Sequence, residues 1–158
     1  MDNSKITATP AWKRVALPLA LAGALLAAAA CGHLAMMGHG AQRPATEAFG
    51  LGPRLSANKV YTATLQPREP LRVRRLQSVP VMITDAQGRP VEQAAITIDG
   101  GMPEHGHGLP TQPRVKHALG GGMYEIEGVR FNMGGWWELK LAIDAAAGAD
   151  TVTFNLSL

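Results

Sequence analysis

From Asn58 to Leu158, apolar residues recur at every second position in one short run after another. That period suits half-buried β-strands and conflicts with helices, whose apolar residues return every three or four positions. Val60–Leu65 alternates, is rich in β-formers and stops before Pro67. Val79, Val81 and Ile83 share a face within Pro70–Asp85, where Pro80 predicts an edge position or a bulge because proline cannot donate to a ladder. Asp85–Pro90 reads as a turn, and Val91–Asp99 resumes with Ala94, Ile96 and Ile98 in step. Further on, Tyr124 and Ile126 oppose Glu125 and Glu127, while Trp137, Leu139, Leu141 and Ile143 oppose Trp136, Glu138 and Lys140. Val152, Phe154, Leu156 and Leu158 align in a last strand. Six or seven short strands in about 100 residues, with no helical run among them, predict an all-β Ig-like antiparallel β-sandwich over residues 58–158.

The N-terminus has a different texture. Lys13-Arg14 precede an unbroken apolar run, Val15–Ala30, which ends at Cys31. A basic start, a short apolar stretch and small residues before the break form the layout of a secretory signal. The run is slightly short of a membrane span, but extending it through Met37 reaches spanning length. Three readings stay open: a lipoprotein signal with Cys31 as the lipidated residue, a cleaved signal, and an uncleaved anchor helix. Each exports the domain, predicting the periplasmic side of a bacterial envelope. Residues 1–31 are thus the signal or membrane anchor. Residues 32–57, rich in Gly, Ala and Pro and broken by Gly50–Pro53, are expected to be a flexible tether. His33, Met36, Met37 and His39 give the tether a patch of coordinating side chains.

Charge narrows the partners. The chain carries a net +3, of which +2 lies in the first thirty residues, leaving no electrostatic footprint for nucleic acid. Arg72-Val-Arg-Arg75 is expected to be the solvated start of a strand. The single cysteine falls at the end of the signal, which rules out a disulfide or a cysteine-based zinc site within the domain. No nucleophile motif or phosphate-binding glycine loop occurs, and Asp85, Asp99 and Glu104 sit in or beside turns, so no enzyme is expected.

The chemistry concentrates in Asp99–Val115, which reads as one long loop between strands. In an extended segment His105 and His107 project to the same side and can face one ion, while Pro103, Pro110 and Pro113 stiffen the loop. Met102 adds a soft thioether, and a His/Met donor set without thiolate favours copper over zinc. Met133, and with less weight His117 and Met123, are candidates to complete the shell, and Glu104 could orient an imidazole.

Three segments together resemble the YtkA-like/FixH-like group of bacterial exported Ig-like domains: Val81–Val91, Gly101–Gly108 and Phe131–Leu139. FixH-like members are associated with copper supply and assembly of the high-affinity cytochrome oxidase. The resemblance implies Met102, His105 and His107 as copper ligands, with Met133 next. It also implies an accessory protein that assists copper delivery or assembly of a membrane or respiratory complex, attached to the membrane by its N-terminal anchor or lipid. The alternative is a metal-independent Ig-like interaction module that docks its loop or an exposed Trp136 on an envelope partner.

Overall fold

The alternating runs become strands because each has one wet face and one apolar face that only a second layer can cover. The computed structural model describes residues 41–158. The signal or anchor segment, Cys31 and the His33–His39 patch lie outside them. The strands are β1 (Arg54–Leu55), β2 (Tyr61–Leu65), β3 (Gln77–Asp85), β4 (Ala95–Met102), β5 (His107–Gly108), β6 (Arg114–Gly120), β7 (Met123–Val129), β8 (Trp136–Ala145) and β9 (Gly148–Ser157). Setting aside the two-residue strands β1 and β5, the described residues contain the seven substantial strands of the expected sandwich. Among the described residues no helix is long and apolar enough to cross a membrane.

All pairings between these strands are antiparallel, in the order β1-β2-β3-β7-β6-β4-β8-β9, with β5 beside β4. Only the Thr97–Arg114 bridge joins β6 to β4, so the path folds there into two layers. One layer is β1-β2-β3-β7-β6 and the other is β4-β8-β9. Their inner faces meet in one core. Tyr61, Val81 and Ile126 contribute from the first layer, and Leu139, Leu141 and Phe154 from the second. Tyr124 ties the layers further, because its hydroxyl donates to the Val91 carbonyl and accepts from Ala94 N–H.

Three expectations change, one strand is added and one open alternative is decided. The tether was expected to reach residue 57, but Phe49 already bridges to Asn155, Gly50 N–H donates to the Asn155 carbonyl and β1 pairs with β2. Gly50–Pro53 breaks regular structure without keeping the chain off the sheet. Trp136 is not exposed. It lies on the outer face of β8, yet Phe49 covers it edge-to-face at 6.4 Å, its indole N–H donates to Asn155 Oδ1, and only 2% of its surface is accessible. Burial by a distant segment leaves no trace in local alternation. The Arg72–Arg75 cluster lies in the connection between β2 and β3 instead of opening a strand, held by a Val73–Phe131 bridge. Finally, β6 carries no alternation because nearly all of it is exposed, and Pro80 sits in an internal strand whose register shifts between Gln77 and Val79, so the bulge is the relevant alternative.

Candidate metal-binding pole

The segment expected to be one long loop is a tight hairpin followed by a crossover. β4 runs on to Met102, which pairs with His107 across the four residues Pro103–Gly106. The Met102 carbonyl accepts from His105 N–H at 3.0 Å and from Gly106 N–H at 2.9 Å. Gly106 takes the left-handed conformation that closes the turn, with φ 66°. Gly101 lets the return strand approach, since a Cβ there would stand 2.5 Å from the His107 carbonyl oxygen. Leu109 N–H then donates to the Gly100 carbonyl, and the stretch containing Pro110 and Pro113 leads into β6 in the other layer.

His105 therefore stands on the turn while His107 opens β5, so the continuous extended geometry expected for the pair does not occur. Both are exposed, and their rings lie nearly parallel at 25° with centroids 5.8 Å apart. His107 also meets the edge of Trp137 at 6.0 Å. Trp137 is fully buried, packs on Phe131 at 5.2 Å and donates its indole N–H to the Met133 carbonyl at 3.0 Å. One indole thus supports the histidine hairpin on one side and fixes the Phe131–Gly135 turn on the other. The alternation of β8 marks Trp137 as an inward residue. It does not reveal this bridging role, which depends on β4 and β8 being neighbours with Gly101 opposite Glu138.

The methionines divide. Met133 lies on the Phe131–Gly135 turn with 42% of its surface accessible. Met102 is a core residue, 1% accessible, with its terminal methyl against Gly135, where a Cβ would stand 2.8 Å away. For its sulfur to meet an ion at the surface, the Gly134-Gly135 backbone above it must shift. His117 and Met123 are carried elsewhere. β6 runs antiparallel to β4 from the Thr97–Arg114 bridge, so His117 proceeds towards the Ala95 end of β4, away from Met102. Met123 pairs with Gly120, farther still along that direction. Neither joins the pole. Glu104 is also drawn away, towards Arg43 at 3.9 Å.

The pole therefore offers two exposed imidazoles, one exposed thioether and a second thioether below the surface. Among the described residues no three His, Cys, Asp or Glu side chains converge, and the donors this pole offers are imidazole nitrogen and thioether sulfur. That donor chemistry fits a soft cation such as Cu(I).

A family model described as YtkA-like matches residues 56–142, more than half of the chain. The chain belongs to the YtkA-like family. The match opens at the buried Ser56 just ahead of β2 and closes inside β8, so it includes the histidine hairpin, Trp137 and Met133. β9 lies beyond the matched residues, and its Val152, Phe154 and Leu156 belong to the same core. No curated protein and no solved structure matches the chain significantly.

Proposed function

We propose that this YtkA-like protein is a non-enzymatic accessory factor of the bacterial envelope, attached by its N-terminal segment. In this reading it binds copper at the histidine hairpin and assists copper delivery to, or assembly of, a membrane complex. His105 and His107 are the primary ligands, Met133 is the next donor, and Met102 is a reserve thioether reached when the glycine turn above it moves. The observation that carries this function is the pairing of two exposed imidazoles 5.8 Å apart on a hairpin backed by a buried indole. Rotation about the side-chain torsions is enough to turn both rings towards one ion, because neither ring is enclosed. The rigid support beneath lowers the ordering cost of binding.

The test is a titration of the full-length protein with Cu(I) against a competing chelator, followed by tryptophan emission. The emission should change on binding because His107 lies against Trp137. His105→Ala/His107→Ala should lose more affinity than the roughly 10- to 100-fold that outer partners of a metal ligand contribute. Equal copper affinity in the wild-type and doubly substituted proteins would reject the copper reading.

A further inference from the structure

The connection Gln66–Leu76 is a loop of defined shape that presents cations and apolar side chains together. The Gln77 side chain clamps its middle, accepting from Arg72 N–H at 2.8 Å and donating to the Arg72 carbonyl at 3.1 Å. Arg74 is held at φ 61°, a left-handed conformation unfavourable for a side-chain-bearing residue, by its N–H bond to the Phe131 carbonyl at 2.6 Å. Such strain persists only where surrounding structure over-determines it, and it clusters at functional segments. The result is an outward display of Arg72, Arg74 and Arg75 with Val73 between them and Leu76 after them, Leu76 being 65% accessible. Arg130 is exposed just before the Phe131 bridge that anchors the loop. Arg75 approaches Glu69 at 3.6 Å, whereas Arg72, Arg74 and Arg130 have no carboxylate within ion-pair distance among the described residues.

This display shares a pole with the histidine hairpin, since Phe131 joins the loop to the turn that carries Met133. The described chain also enters the domain at this pole. Arg43 reaches Glu104 of the hairpin at 3.9 Å and lies over the Phe49 ring at 5.2 Å. Only twelve residues separate Arg43 from the end of the apolar run at Ala30. Even fully extended, that linker spans no more than about 45 Å. With an N-terminal attachment to a bilayer, the chain's entry to this pole stays within about 45 Å of the lipid surface, a reach that allows the loop to contact it.

From these features we propose that the Gln66–Leu76 loop and Arg130 dock the domain on an anionic phospholipid surface. The guanidinium groups that have no carboxylate partner meet lipid phosphates, and Val73 and Leu76 enter the headgroup layer. Docking would hold the histidine hairpin at the membrane, where a membrane-embedded acceptor of the ion would present its entry site. The proposal takes from the functional reading only the membrane attachment and does not depend on copper being bound.

Hydrogen exchange on the full-length protein, reconstituted in phosphatidylcholine vesicles with or without phosphatidylglycerol, tests it. Amides of residues 66–76 should exchange more slowly in the anionic vesicles, and added salt should reverse the effect. Successive Arg72→Gln, Arg74→Gln and Arg130→Gln substitutions, all at exposed side chains, should each remove about fivefold of that protection. Leu76→Ser, which keeps every charge, should weaken it too. Unchanged exchange in the strands of the core reports that each variant is folded. Equal exchange of 66–76 in neutral and anionic vesicles would overturn docking, as would protection that survives the arginine substitutions. Copper titration of the same samples separates that failure from failure of the metal site.

Discussion

Asp150 shows how one side chain can hold two distant stretches together. Its carboxylate accepts from Thr151 N–H at 2.8 Å, from Asn58 N–H at 3.0 Å and from the Asn58 side-chain amide at 3.1 Å. Hydrogen bonding by the Ser56 side chain, reinforced by these backbone donors and opposed by burial, lowers its pKa from 3.8 to about 2. As pH falls below about 4 the unfolded chain takes up a proton that the folded protein refuses until about pH 2. The contribution of Asp150 to stability is therefore complete above that window and lost as pH falls through it. Urea unfolding followed from neutral pH down to about 2 should show this decline in the wild type. Asp150→Asn should be less stable at neutral pH and should lack that component of the decline; an identical pH profile in the variant would mean that other carboxylates govern acid unfolding. The partners lie 92 positions apart, so nothing local in Ala149-Asp-Thr151 announces the clamp.

At the scale of the element, the β4–β5 hairpin depends on two glycines for different reasons. A Cβ on Gly101 would meet backbone, the His107 carbonyl, whereas a Cβ on Gly106 meets nothing within 4 Å and strains only the local conformation. Gly106→Ala should cost about 1–2 kcal/mol and leave the imidazole pair in place. Gly101→Ala must open the β4–β5 pairing; it should cost about 1–3 kcal/mol and also reduce copper affinity by moving His107 off its Trp137 support. Urea melts give the stabilities, and the chelator titration gives the affinities. If Gly101→Ala bound copper as tightly as Gly106→Ala, the register of the hairpin would have no part in the site. The sequence reading of Asp99–Val115 as a single loop fails for a physical reason. A two-residue return strand, His107-Gly108, is too short and too polar to express a period.

Across the whole molecule, the N-terminal strap from Phe49 to Leu55 closes the sandwich along both β9 and β2. A fragment beginning at Asn58, the boundary drawn from alternation alone, would uncover Trp136 and leave the β2 edge unpaired. An open edge beside an exposed indole is an invitation to intermolecular pairing. Compared with a 41–158 fragment, 58–158 should lose at least about 2 kcal/mol from the strap's apolar contacts and should self-associate. Thermal melts and size-exclusion profiles of the two fragments check this. Coincident melts and monomeric elution of both would show the strap to be dispensable.

Alternation along the chain determined the all-β class and most of the inward-facing residues, because a strand's two faces are written directly into every second position. The residues Met102, His105, His107 and Met133 were legible as a donor set by their chemistry. What only the tertiary structure decided was which of them share a surface and which are covered. Strand pairing at Met102–His107 and Gly101–Glu138 brings the hairpin onto Trp137. Layer topology carries His117 and Met123 away, and contacts from remote segments bury Met102 and Trp136. Pairing partners and covering segments are set by long-range closure of the core, a free-energy balance over the whole chain that no local period encodes.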